Sequence, residues 1–267
     1  MAILLENEIL LLLGIVALAW GGFKLKALSL SGAVGTFLVG IFIALGFQGY
    51  GLLLIGLFFV TSSFWSKYNR NKKEKISDMH EKGSRRDVVQ VLANGGVPAL
   101  IGVLAYFFPA DYWIYGFVTS IAVANSDTWA SEIGSLSRKR PYSVLRMEKV
   151  ETGTSGAISS LGTLAAISGS ALIGIASYIL WDDVNEIAAL FIIIMGVIGC
   201  FIDTLLGATV QSSYQCKECG KLVEKTLHCN RPTKLVKGKA WINNDVVNIS
   251  SILIASLLIM LLSSLVM

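Results

Sequence analysis

Asp127 and Glu132 stand in the stretch Ala124-Asn125-Ser126-Asp127-Thr128-Trp129-Ala130-Ser131-Glu132-Ile133-Gly134, and Asp203-Thr204 sits near the end of the apolar run from Leu190 to Leu206. Carboxylates in such segments are expensive to insert in lipid and are functional candidates by default. Thr128 and Glu132 are four apart, with Asn125 two turns before Glu132, and Asp203, Gly207 and Gln211 recur at i, i+4 and i+8. Each set therefore shares one helical face. Oxygen ligands with few His or Cys nearby favour a hard cation such as Mg²⁺, here at Asp127, Glu132 and Asp203. A basic run, Arg138-Lys139-Arg140 with Arg146 and Lys149, leads into Gly153-Thr154-Ser155-Gly156. At a helix start, that turn would offer backbone N–H groups and the positive dipole end to an anion. Carboxylates for a metal, with cations and a helix start for phosphates, are what phosphoryl transfer requires. Each piece also has a plainer reading. Thr154-Ser155 could be packing residues, Asp127 an interfacial cap, and Asn244-Asp245 the N-cap of the last helix.

The elements that must position these residues are membrane spans. Of the 267 residues, 54% are hydrophobic and 15% charged, where a soluble domain carries about a quarter charged, and the mean hydropathy is +0.66. The apolar residues fall in runs close to the roughly 20 residues that cross a bilayer as helix. Eight spans are predicted, at 5–20, 27–47, 49–65, 88–108, 112–133, 154–180, 187–210 and 245–266. The expected class is all-α: one polytopic transmembrane domain over 1–267. The N-terminal segment has Glu6 and Glu8 without a basic residue, so the first run reads as a retained helix and not a signal peptide.

All 22 Lys and Arg lie in alternate loops, after the first, third, fifth and seventh spans. The other loops and the N-terminal segment hold only acids: Glu6, Glu8, Asp111, Asp182, Asp183 and Glu186. Basic loops are retained in the cytosol, so both termini should lie outside a cell membrane. The cytosolic side would carry the basic loops 66–87 and 134–153 and the loop 212–243. The net charge of +4 then reflects topology, and no nucleic-acid partner is expected. The loop 66–87 reads as a solvated connection, or as one in which Arg85 and Arg86 reach phosphates or anionic headgroups. With this topology, five spans bring polar residues to the same cytosolic depth. Asn94, Asn125, Thr128, Thr204, Gln211, Asn244, Asp245 and Asn248 would line one site there.

Cys200 stands alone in an apolar span, where it reads as a small filler. Cys216-Lys-Glu-Cys219-Gly220, followed by His228-Cys229, could give a three-Cys, one-His tetrahedral zinc site. The alternative is a reduced loop without metal; a cytosolic loop argues against a structural disulfide.

The motifs Asn125-Ser-Asp127-Thr-Trp-Ala-Ser-Glu132-Ile-Gly134, Gly153-Thr-Ser-Gly156-x-x-Ser159-x-x-Gly162-Thr, Asp203-x-x-x-Gly207-Ala-x-x-Gln211 and Trp241-x-Asn243-Asn244-Asp245-x-Val-Asn248 occur in order. Together they resemble the integral membrane family that includes plant phytyl-phosphate kinase and transmembrane protein 19. Arg86-Asp87-x-x-Gln90-Val-Leu-Ala-Asn94-Gly95 looks like the stretch that precedes them in that family. More distantly, Asp127-x-x-Ala130-x-x-x-Gly134 with its basic run is similar to CTP-using polyprenol kinases and phosphatidate cytidylyltransferases, although Ser135 replaces the Arg of that pattern. The resemblance implies a kinase that transfers phosphate from CTP or another nucleoside triphosphate to a prenyl monophosphate, with the lipid tail between spans. On that reading Asp127, Glu132 and Asp203 are catalytic and hold Mg²⁺. Arg138, Lys139 and Lys149, helped by Gly153, Thr154, Ser155 and Gly156, bind the nucleotide. The acceptor is already a phosphate, so neither His80 nor His228 is needed as a base. An ion-coupled transporter and a cytidylyltransferase are the alternatives.

Overall fold

The computed structural model describes residues 7–77, 83 and 85–263. The outermost residues of the first and last expected spans, and 78–82 and 84 of the loop 66–87 with His80, lie outside the described residues. The described chain is helical, with helices α1 (Glu8–Lys24), α2 (Leu30–Lys67), α3 (Arg70–Ser77), α4 (Val88–Phe107), α5 (Tyr112–Gly134), α6 (Ser160–Leu180), α7 (Glu186–Thr209) and α8 (Asn244–Leu261). Five of them (α2, α4, α6, α7 and α8) are long and apolar enough to cross a membrane. The chain is a polytopic helical membrane protein.

Two of the predicted spans are the legs of α2. Its 38 residues would reach about 57 Å if straight, nearly twice the roughly 30 Å hydrocarbon core. The helix instead breaks at Gln48, with φ 47° and ψ −138°, near the first central position of a type II′ turn. Both legs return to the same end of the bundle. The Lys67 ammonium donates to Leu25 O at 2.7 Å. Arg86 ties the two ends together, its carbonyl accepting from Ser29 N at 2.9 Å and its guanidinium donating to Ser63 Oγ at 3.2 Å.

The central helix is α5, which packs on α2, α4, α6, α7 and α8. It is buried continuously from Ile114 to Ser126. A helix ringed by protein meets no lipid, so it can carry polar residues that a lipid-facing span could not. Asn125 uses this position as a crosslink. Its Oδ1 accepts from Thr61 Oγ1 and Ser62 Oγ, each at 3.3 Å, and its Nδ2 donates to Gly169 O at 2.7 Å. Ser126 Oγ adds a bond to Ala166 O at 2.9 Å. Small residues permit this proximity, since helix association in lipid depends on close packing and interhelical hydrogen bonds. A Cβ on Gly134 would stand 3.1 Å from the Gly162 backbone, so any larger residue would have to push the two helices apart by a few tenths of an ångström.

The sixth helix starts at Ser160, not at 154. Gly153 and Gly156 have φ of 94° and 78°, which no right-handed helix tolerates. Ser159 is the N-cap, its Oγ accepting from Gly162 N at 3.0 Å. Residues between α5 and α6 pair as β1 (Tyr142–Ser143) and β2 (Ala157–Ile158). The loop between α7 and α8 folds into short antiparallel pieces: β3 (Ser213–Gln215) between β4 (Leu222–Val223) and β7 (Lys234–Lys237), and β5 (Leu227–His228) against β6 (Arg231–Pro232). Two-to-four-residue strands without alternation over several turns leave no periodic signal in the sequence.

Candidate active site

A cavity of about 520 Å³ opens at the end of the bundle that carries the basic loops, and α3, α4, α5, α6, α7 and α8 all line it. Asp127 and Thr128 reach it from α5, Asp203, Thr204 and Gly207 from α7, and Asn244, Asp245 and Asn248 from α8. Asn94 reaches it from α4, and Glu132, Gly153, Thr154, Ser155, Gly156 and Gln211 complete this group of expected residues.

The floor is acidic. Asp203 is only 9% exposed and accepts from Ser251 Oγ at 3.1 Å. The Asn248 amide, with its nitrogen turned to Asp203, donates to Oδ2 at 3.0 Å and to Asn244 O at 3.2 Å. The thiol of Cys200, one turn before Asp203, lies 4.0 Å from Asp127 Oδ1, and the two aspartates are near enough to interact electrostatically. Among the described residues neither forms an ion pair with Lys or Arg. Neighbouring buried carboxylates are stable when they share a proton or a cation. Two oxygen donors with amide and hydroxyl neighbours fit a hard cation. Asn243, not Asn244 or Asp245, caps α8 through Val246 N at 3.2 Å, which leaves both latter side chains on the cavity wall.

Glu132 also lines the cavity and is already paired. Its Oε2 accepts from Lys73 Nζ at 2.7 Å and its Oε1 from Ser66 Oγ at 2.6 Å. The ammonium compensates part of the charge that Glu132 would offer a metal. Arg70, Lys73 and Arg86 supply the positive side of the cavity. Burial lowers the pKa of Arg86, opposed by the negative charge of Glu132. Arg138, Lys139 and Lys149 are exposed and do not reach the cavity; the strand pairing of β1 and β2 turns their loop outward, with Lys149 over the Tyr142 ring at 5.9 Å. Asn125 does not reach it either, being committed to the bundle interior. Of the functional side chains that sequence reasoning left aside, Gln90 carried a signal, lying four residues from both Arg86 and Asn94. Arg70 and Lys73 carried none within a run of eight cations.

The Gly153–Gly156 turn is built by contact with α7. Gly156 packs directly on Ala208, where a Cβ would collide. Ser155 Oγ reaches Gly207 O at 3.2 Å and Gln211 Oε1 at 2.9 Å. Gln211 Nε2 donates in turn to Glu224 of the 212–243 loop at 2.8 Å, and Lys237 Nζ donates to Gly207 O at 2.7 Å. Burial lowers the pKa of Lys237. In that same loop, Cys216, Cys219, His228 and Cys229 gather their ligand atoms within 4.8 Å of one another.

The fold and cavity define a polytopic membrane protein with a charged chamber at one end. The family profile of the integral membrane protein DUF92 matches residues 13–256, and the chain belongs to that family. It is 32% identical to Protein PGR of Arabidopsis thaliana, over 90% of this chain and 91% of that one. An uncharacterized membrane protein of Methanocaldococcus jannaschii is 38% identical over 69% of this chain and 75% of its own. Protein VTE6, chloroplastic, of Arabidopsis thaliana is 27% identical over 90% of this chain and 66% of its own. No solved structure matches.

Proposed function

We propose that the protein is a Mg²⁺-dependent prenyl-phosphate kinase working at the face that carries the basic loops. The observation that carries this reading is the cavity's polarity. Asp127 and Asp203, which form no ion pair among the described residues, line the same chamber as Arg70, Lys73 and Arg86. A phosphoryl group in flight needs a cation on one side and guanidinium or ammonium donors on the other. The resemblance to plant phytyl-phosphate kinase and the similarity to Protein VTE6 support the same reaction class.

In this reading Asp127 and Asp203 hold the metal, assisted by Asn248, and Glu132 orients Lys73. When bound, Mg²⁺ neutralises the charge that develops on the transferred phosphoryl oxygens. The Gly153–Gly156 turn and the first residues of α6 receive the phosphates of CTP or another nucleoside triphosphate. Arg86 receives the acceptor phosphate. One acceptor phosphate oxygen bonds to the γ-phosphorus as the bond to the β-phosphate oxygen breaks, giving a prenyl diphosphate and a nucleoside diphosphate. The acceptor oxygen already bears charge near neutral pH, so no general base is required. An apolar crevice supports a lipid acceptor. It runs between Ile15, Leu18, Val39, Ile55, Phe58 and Phe59 and shares Arg86, Gln90 and Asn94 with the polar cavity. A tail in the crevice would place its phosphate at Arg86.

The test incubates purified protein with Mg²⁺, individual nucleoside triphosphates, and phytyl, geranylgeranyl or shorter prenyl phosphates. The expected product is the prenyl diphosphate with nucleoside diphosphate, absent without Mg²⁺ and absent in Asp127→Asn and Asp203→Asn. Release of pyrophosphate would assign cytidylyl transfer instead. Turnover that survives in both Asp variants would remove the metal assignment.

A further inference from the structure

We propose that Cys216, Cys219, His228 and Cys229 hold one structural zinc ion, which braces the 212–243 loop over the polar cavity. The argument begins with how small this loop is. Across it, the buried apolar residues are only Tyr214, Cys216 and Val223. Segments below about 40 residues seldom hold a fold without a disulfide, a metal or a partner. Strands of two to four residues do not provide independent stability.

The backbone aims the four side chains at one point. Cys216 N donates to Lys221 O at 2.9 Å and Gly220 N to Cys216 O at 3.0 Å, with Gly220 at φ 72°. This closes the knuckle that presents Cys216 and Cys219. His228 and Cys229 are adjacent in sequence, which ordinarily sends side chains apart. Here Cys229 and Asn230 are the two central residues of a tight hairpin between β5 and β6, at φ 53° and 58°, as a type I′ turn requires. The turn folds Cys229 back beside its neighbour. Cys229 Sγ is 3.2 Å and Cys219 Sγ 3.5 Å from His228 Nδ1. A tetrahedral site with Zn–S of about 2.3 Å and Zn–N of about 2.0 Å has sulfur and nitrogen roughly 3.5 Å apart. Three thiolates and an imidazole suit zinc far better than the hard cation expected at Asp127 and Asp203.

The consequence reaches the cavity through two contacts. Glu224 and Lys237, on either side of the His228–Cys229 hairpin in sequence, meet Gln211 and Gly207 O. Both targets also bind Ser155 of the Gly153–Gly156 turn. Zinc would therefore set the height of the loop over that turn.

Three measurements on the full chain test this, and none depends on kinase activity. Metal analysis of protein purified without chelator should find one zinc per chain, lost in Cys219→Ser/Cys229→Ser. A wild-type chain that holds iron or no metal, or a double variant that keeps its zinc, overturns the site. If the variant fails to insert, cobalt exchanged into the wild-type protein replaces that arm. Tetrahedral thiolate coordination gives intense visible bands with thiolate charge transfer, whereas the weak spectrum of octahedral cobalt overturns the proposal. Finally, chelation should accelerate tryptic cleavage between Lys217 and Lys239 at least about tenfold, because bound metal contributes folding free energy. An unchanged rate would overturn the bracing role.

Discussion

Lys73 brings a charge into the cavity wall and meets Glu132 there at 2.7 Å, with the lysine side chain only 11% exposed. Its ammonium also donates to Trp65 O at 2.6 Å, so it is held from two sides. Breaking a buried pair by deleting one partner costs more than the pair contributes, because the remaining charge is stranded. Lys73→Met should therefore lower stability by about 2 kcal/mol in detergent unfolding. Adding Glu132→Gln should recover most of that loss. If the double variant is as unstable as the sum of the single ones, the pair is not the coupling unit. Asp127 and Asp203 are expected to behave in the opposite way. Neutralising either relieves mutual repulsion, so folding should be kept while turnover is lost, the usual conflict between stability and a charged site.

Among the elements, α2 shows best how local sequence and packing trade against each other. Its break falls at Gln48, a residue with a Cβ in a conformation that glycine adopts more readily. Such backbone costs of order 1 kcal/mol. The hairpin persists because Gly46 and Gly102 pack backbone to backbone and because Phe47 stacks on Phe117 of the central helix, centroids 4.0 Å apart. Gln48→Gly should raise the thermal stability by about 1 kcal/mol with activity unaltered. A lowered melting temperature would mean that the Gln side chain holds the turn. The α5–α6 contact works by the opposite device. Gly134 and Gly162 lack the Cβ that would separate the helices, and the closeness carries Asp127 and Thr128 to the start of α6.

At the scale of the molecule, charge and burial separate along one axis. The loops that bear Lys and Arg meet at one end, where Lys67 donates to Leu25 O and Lys237 ties its loop to Gly207 O of α7. At the other end Tyr115 OH donates to Asp183 O at 3.3 Å. On the proposed reading, the chamber at the basic end takes its nucleotide from water and its lipid through the adjoining apolar crevice. Orientation can be checked chemically, since the expected topology puts every lysine on the same side. A membrane-impermeant amine reagent should leave lysines unlabelled in intact cells and modify the exposed Lys139, Lys149 and Lys221 in inverted vesicles. Lysine labelling from outside would reverse the topology.

The sequence by itself determined the membrane class, the rhythm of the spans and the end at which the polar residues gather. Those features depend on hydropathy and on the sidedness of Lys and Arg, which are properties of composition along one dimension. It also singled out Asp127, Asp203 and the Gly153–Gly156 turn, because polar groups and clustered glycines within apolar stretches are conspicuous without neighbours. Only the tertiary structure decided which cations line the cavity. The place of Arg86 beside the membrane had marked it, but a run of basic residues gives no sign that Arg70 and Lys73 line the cavity while Arg138, Lys139 and Lys149 do not. It likewise moved Asn125 from the site to the bundle interior and gave Glu132 to Lys73. Partners for a buried polar group lie on other helices, 40 or more residues away, and such pairing is fixed by packing and not by spacing.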